Sequence, residues 1–238
     1  MKTDMKNTMS IFRKEFKGYF ISPIAYIVIT IFLILTGWFF FSTFFLFGQA
    51  EMRNMFSLFP VILSFVIPAV TMRLFSEEFN TGSYELLLTM PVSPLNIILG
   101  KFLAASAFVA IMIFPTLLYS IFISYLGDLD WGPVIGGYLG TLLLGIAFSS
   151  IGIFASSLTK NQIIAFITGM TICFVLTLID KMLFFLPESL LGVFQYLGAD
   201  FHFQNISKGI IDSRDILYFL SICFVMLYGT NIIIQEKT

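Results

Sequence analysis

The sequence predicts an all-α integral membrane protein with six transmembrane helices. Composition is the first reason: 58% of the 238 residues are hydrophobic and 11% are charged, where a soluble domain carries roughly 25% charged residues. Mean hydropathy is +0.95, so a water-exposed fold would leave large apolar patches uncovered. The second reason is the spacing of the charges. No Asp, Glu, Lys or Arg occurs in residues 18–50, 54–72, 102–127, 131–159, 161–179 or 216–235. Each run approaches or exceeds the ~20 residues a spanning helix needs, and a helix satisfies its own backbone where lipid cannot. The third reason is that Lys and Arg gather on alternate connections. With the N-terminus inside, Lys2, Lys6, Arg13, Lys14, Lys17, Arg73, Lys101, Lys160 and Lys237 are cytosolic, against Arg53, Lys181, Lys208 and Arg214 outside. The excess of inner positive charge puts both termini in the cytosol. The whole chain, 1–238, reads as one transmembrane domain.

The elements follow in order. Residues 1–8 are polar and expected to fray. Residues 9–20 predict an interfacial helix, because Phe12, Phe16 and Phe20 recur at i, i+4, i+8 beside Arg13, Lys14 and Lys17. That is an apolar stripe next to a basic face, suited to the headgroup layer; the alternative is a plain basic flank. Ser22-Pro23 then precedes the first span, whose apolar run is far longer than a signal-peptide core. The second span holds Pro60 and Pro68, which free backbone carbonyls and bend the helix. In lipid such a bend needs neighbours, so this span belongs inside the bundle, as a passive kink or a hinge.

The third span has Pro115 midway and ends near residue 125, before an outer loop with Asp128 and Asp130. The fourth opens with Gly132, Gly136 and Gly140 at four-residue spacing, with Gly137 and Gly145 nearby. Small residues so spaced let helix backbones pack closely. Ser149, Ser150, Ser156 and Ser157 either bond back to their own helix or face a polar path. A tight inner turn carries Lys160. The fifth span ends at Asp180-Lys181, neighbours that do not face each other on a helix. The outer segment, 182–214, is apolar but broken by Pro187 and Gly192. It predicts short helices dipping into the outer interface, since a seventh span would put the C-terminus outside. The lone His202 reads as a solvated loop residue. Cys173 and Cys223 read as small buried hydrophobes rather than a disulfide or metal pair.

One cytosolic stretch, 73–101, organises the rest. It begins with Glu77 and Glu78, turns at Asn80-Thr81-Gly82, and enters a short helix capped by Ser83. Glu85 sits in the first turn, where the helix dipole favours an anion. Leu86, Leu87 and Leu88 follow, and Pro91 and Pro94 are expected to stop the helix. Such leucines either enter a groove on a soluble partner or lie against the chain's own spans.

Several chemistries are excluded. There is no G-x-x-x-x-G-K-[ST] phosphate loop, no G-x-S-x-G elbow, and one histidine cannot make H-E-x-x-H. No basic cluster suggests nucleic acid. The six uncharged runs offer no carboxylate for ion-driven transport, so energy for uphill movement comes from another chain. An intramembrane enzyme would have only hydroxyls and amides to work with.

The set Ser76-Glu77-Glu78, Thr81-Gly82, Glu85-Leu86-Leu87-Leu88-Thr89, Pro91-Val92-Ser93 and Gly100-Lys101 resembles the inner loop of ABC-2 type transporter permeases. The resemblance implies a coupling helix within 74–100, between spans two and three. It would dock on a separate ATPase through Glu77, Glu78, Thr81, Gly82, Glu85, Leu86, Leu87 and Pro91. Residues 9–20, with Phe12, Arg13, Lys14, Phe16 and Lys17, resemble the family's elbow helix, and 182–214 resembles its outer re-entrant helices. The permease itself binds no cofactor; ATP and Mg belong to the ATPase. A narrower resemblance is to the gliding-motility-associated permeases of Bacteroidetes. It rests on Ser22-Pro23-Ile24, on Ile67-Pro68-Ala69-Val70-Thr71-Met72-Arg73, and on Ile206-Ser207-Lys208-Gly209-Ile210-Ile211-Asp212-Ser213-Arg214-Asp215. It implies the bacterial inner membrane and, besides the ATPase, a second permease copy or an auxiliary membrane subunit. The competing reading is a membrane scaffold or anchor that transports nothing.

Overall fold

A computed structural model describes residues 2–47, 52–88, 92–182 and 187–237. Among them every regular element is helical: α1 (Lys2–Ile21), α2 (Pro23–Phe47), α3 (Arg53–Thr71), α4 (Arg73–Thr81), α5 (Ser83–Leu88) and α6 (Pro94–Ile113), then a 3₁₀ turn (Phe114–Thr116), α7 (Leu117–Leu126), α8 (Trp131–Leu158), α9 (Gln162–Leu178), α10 (Glu188–Leu197), α11 (Ala199–Ser207) and α12 (Ser213–Glu236).

Five helical stretches among the described residues are long and apolar enough to cross a membrane: Pro23–Phe45, Arg53–Thr81, Pro94–Leu126, Trp131–Leu158 and Ser213–Glu236. The expected fifth span, α9, has 17 residues, ~25 Å at 1.5 Å per residue. One further turn of backbone hydrogen bonds carries it to Met182.

Helix α8 is the hub. It packs against α3, α4, α6, α9, α11 and α12, and the reason is its glycines. A methyl group on Gly136 would lie 2.2 Å from the Ile206 carbonyl oxygen, and one on Gly152 would lie 1.9 Å from Thr71 Oγ1. Gly140 rests on Phe203 and Ile206, while Gly132 meets the backbone of Gly209. So Gly136 and Gly140 of the expected stripe face α11, while Gly132 is exposed and only its backbone lies beside the turn that follows α11. The second span lies inside the bundle, with α3 between α2, α8 and α9.

Several boundaries differ from the sequence expectation. Residues 2–8 continue α1 rather than fray, and Thr8 Oγ1 donates to Asn96 Oδ1 of α6 at 3.2 Å. The leucine helix is described to Leu88, before both prolines, and Pro94 in addition opens the next helix. Ser93 caps α6 by accepting from the Asn96 amide, and proline at the first helical position loses no internal bond. Ser83 is the first residue of α5, not its cap; Gly82 takes the flanking place at φ 71°, a conformation that costs glycine little. The helices also outrun the uncharged segments, so Lys101 lies within α6 and Asp215 within α12.

The described residues of the segment expected outside, 182–214, form two short helices, α10 and α11. The second is no surface feature: Asp200, His202, Phe203 and Ile206 of α11 are buried beneath α8, α3, α12 and α9.

Candidate functional site

The stretch after α3 is built around a joint. Helix α3 ends at Thr71, Met72 is a turn, and α4 starts at Arg73. A helix start has orphan amides, and here the cap comes from another helix. Ser156 of α8 accepts from the amides of Phe75 and Ser76, both at 3.0 Å, and donates to the Met72 carbonyl at 2.7 Å. One donor and two acceptor positions exhaust a serine hydroxyl. Ser76 Oγ also donates to Met72 O. The joint sits on small residues, Gly152 against Thr71 and Gly169 against Pro68. The other serines, Ser149, Ser150 and Ser157, bond back along α8.

Lys101 of α6 ties the joint to α1. Its side chain is 1% exposed, and its ammonium donates to Leu74 O at 2.6 Å, Glu78 Oε1 at 2.8 Å and Glu15 Oε1 at 3.2 Å. Three donors thus meet three acceptors on two other helices. The same Nζ lies 5.0 Å from the centre of the Phe75 ring, within cation–π range. Burial pushes the Glu78 carboxyl above its ordinary value; Lys101 opposes this, Glu15 adds to it and Lys14 opposes it. Glu78 Oε2 is buried without a partner.

The far side of α4 is held by the chain's end. Lys237 Nζ donates to Ser157 O at 2.6 Å and stands 4.2 Å from the Phe79 ring centre. Partial burial and the nearby Lys160 lower its affinity for its proton. Glu78, Phe79, Tyr84, Glu85, Lys160 and Lys237 line a groove of about 260 Å³.

The expected coupling residues therefore separate. Thr81, Gly82 and Glu85 are exposed at the tip between α4 and α5. Thr81 Oγ1 donates back to Glu77 O and lies 2.9 Å from Ser83 Oγ. Glu78 is not on the tip: it is committed to Lys101. Glu77 is exposed as well, one turn before the tip, and lines a cavity with Glu15 and Arg73. Leu86 and Leu87 belong to α5, with side chains outside the described set, and Pro91 lies outside the described residues.

Along α1, Arg13, Lys14 and Lys17 are exposed and Phe12, Phe16 and Phe20 half-buried. The rings follow one another at 5.5 and 5.2 Å. Phe20 and Tyr19 reach Phe108 of α6, so part of the stripe packs on protein. Gly100 permits this approach, since a methyl there would meet Ile11 at 2.7 Å.

A second polar cluster occupies the other end of α8. His202, expected in solvent, is fully buried. Its Nδ1 lies 2.6 Å from Asp215 Oδ1 and its Nε2 lies 2.9 Å from the Tyr196 carbonyl. A carbonyl can only accept, so Nε2 donates to Tyr196 O and Nδ1 faces Asp215. The ring stacks on Tyr218 at 4.0 Å, whose hydroxyl donates to Leu197 O at 2.6 Å. Two orphan carbonyls at the end of α10 are thereby satisfied by side chains. Lys181 bonds Asp200 at 2.8 Å, a partner 19 positions away rather than its neighbour Asp180. Burial and then Asp200 raise the Asp180 carboxyl above its ordinary value, while Lys181 and His202 oppose the shift. No cluster of His, Cys, Asp and Glu among the described residues could hold a metal ion.

Residues 9–238 match the family model described as ABC-2 family transporter protein. The chain belongs to the ABC-2 transporter family. It is accordingly a multi-pass membrane protein of the kind that serves as the permease subunit of an ABC transporter. ABC-2 permeases normally lack an ATPase site of their own and work with an ABC ATPase and membrane lipid. No match to this chain is found among curated proteins. Sequence reasoning missed Ser156, Lys101 and His202 as network centres. Only Lys101 left a signal, as a lone cation at the edge of an apolar run.

Proposed function

We propose that this ABC-2 chain is a six-span permease subunit in the bacterial inner membrane, with α9 as the short fifth span and both termini cytosolic. In this reading α1 is the elbow helix and α4–α5 the coupling element. A separate ATPase, holding ATP and Mg, presses on the exposed tip at Thr81, Gly82 and Glu85. Its motion passes through α4 to the Met72 joint and so into α3 and α8. Glu78 and Lys101 keep the element aligned with α1. A second permease copy or an auxiliary membrane subunit completes the pathway.

The observation that carries this reading is the joint itself. A nine-residue helix projects from α3, capped by a side chain of the hub helix and ending in an exposed turn. What supports a gliding-motility system is the run-by-run resemblance to permeases of the GldF type, at residues 22–24, 67–73 and 206–215.

The test is ATP turnover by the reconstituted complex. Glu85→Lys reverses a charge on the exposed tip, so stability should stay within about 0.5 kcal/mol. Stimulation of the ATPase should fall about tenfold, as for loss of one charge-assisted contact. Unchanged stimulation sinks the assigned docking role. ATP turnover insensitive to every lipid or glycan offered supports an anchor instead of a transporter.

A further inference from the structure

A polar cavity opens where α1, the Ser22 turn and α4 meet. It measures about 270 Å³ and is walled by Glu15, Tyr19, Ser22, Arg73, Leu74 and Glu77. That is the space of several waters at ~30 Å³ each. Three features indicate an occupant with a defined chemistry.

The first is unused charge. Arg73 and Glu77 stand one turn apart on α4, yet among the described residues neither has an ion-pair partner. The second is an unused donor. Tyr19 is 7% exposed, and its hydroxyl is buried with no hydrogen-bond partner. It lies within the field of Glu15 and Arg73. The third is the rim. Within five residues of Ser22 in the chain, Ile21 at the end of α1 and Ile24, Tyr26 and Ile27 at the start of α2 are exposed. A charged floor opening onto an apolar track fits an amphiphile.

The charges select among amphiphiles. A guanidinium fork matches phosphate oxygens bidentately. The two carboxylates in the wall oppose a headgroup that is anionic throughout. A primary ammonium brings three donors for a carboxylate, whereas a quaternary one brings none. We propose that this cavity binds the headgroup of an aminophospholipid, with its phosphate on Arg73, its primary ammonium on Glu77 and its acyl chains along Ile21, Ile24 and Ile27. The inference rests on α1 lying at the membrane surface and not on where an ATPase docks. A lipid so held bridges α1 and α4, making the alignment of the coupling element depend on membrane composition.

The test uses the full chain in nanodiscs of equimolar phosphatidylethanolamine, phosphatidylcholine and phosphatidylglycerol. Retained lipid is read by native mass spectrometry without nucleotide, so the result is independent of ATPase coupling. Phosphatidylethanolamine should be retained about tenfold over the other two, and Arg73→Ala should lower its retention about tenfold. Glu77→Gln should bring phosphatidylethanolamine and phosphatidylcholine level while both stay bound. This variant carries the test if Arg73→Ala fails to fold. Equal retention of all three lipids by the unaltered chain overturns the proposal, as does undiminished phosphatidylethanolamine in a folded Arg73→Ala. Soluble phosphoethanolamine binding as tightly as the diacyl lipid also overturns it, since the acyl track would then contribute nothing.

Discussion

The two ends of α8, ~42 Å apart along 28 residues, rest on buried ionic clusters of different build. At the Trp131 end, His202 and Asp215 are 0% and 3% exposed, and both imidazole nitrogens are engaged. Asp215 bonds the ring through Oδ1, while its Oδ2 is buried without a partner. At the Leu158 end, Lys101 is equally buried but divides its ammonium between Glu15 and Glu78, which are 16% and 13% exposed. Here two carboxylates from different helices share one cation, and Glu78, like Asp215, keeps an unpaired oxygen. The first arrangement closes α10, α11 and α12 on one another. The second holds α1 and α4 to α6 while leaving alternatives at hand. A buried pair whose members have no substitute is costly to break; a shared one can exchange partners. The fixed end thus supports the hub, and the adjustable end surrounds the joint.

That contrast can be broken by substitution. The largest effect should come from His202→Ala, which removes at once the buried partner of Asp215 Oδ1 and of the Tyr196 carbonyl. A loss of about 3–5 kcal/mol is expected, read as a lowered denaturation midpoint or early proteolysis at 187–213. Lys101→Met should cost less, about 2 kcal/mol, because Glu15 can reach solvent and Glu78 can take up a proton. Equal losses for the two variants would remove the distinction between the ends. Ser156→Ala should cost about 1 kcal/mol, the usual worth of an N-cap. Its signature should be local: faster amide exchange at Phe75 and Ser76, with the 199–207 region unaffected. Exchange that rises at both ends would mean that Ser156 supports the whole bundle rather than the joint.

The smallest effect concerns pH and sharpens the comparison. Burial, more than any neighbour, raises the Glu78 carboxyl, so the folded chain holds this proton more tightly than the unfolded chain. Its contribution to stability is greatest below the ordinary carboxylate range. It declines as pH rises from that range through the raised folded value, and is level above it. Glu78→Gln should remove this slope, visible in unfolding midpoints measured across mildly acidic pH. A slope that persists unchanged would assign it to another group.

Legibility in the sequence tracked the range of the interaction. The five long apolar stretches were readable because an uncharged run needs no partner to declare itself. The glycine spacing on α8 announced a close approach but not which helix approached, and α11 supplied the answer. The basic and aromatic faces of α1 were readable at i, i+4 spacing, whereas its extension over residues 2–8 depended on α6. Pro94 was read only as a stop, because proline marks both ends of helices, and the Ser93 cap shows that it also opens α6.

The chain's own residues determined that it lives in a membrane, that it is helical, and that a polar connection interrupts the apolar segments near residues 73–101. Those properties follow from local composition and period, which act on each segment wherever it lies. The tertiary structure alone decided that Lys101 and His202 go inside, that a serine of α8 caps α4, and that Glu77 and Glu78 part ways. Each outcome needs donors and acceptors brought together from positions tens of residues apart, because a charge enters a low-dielectric interior only where the fold has already placed its partners.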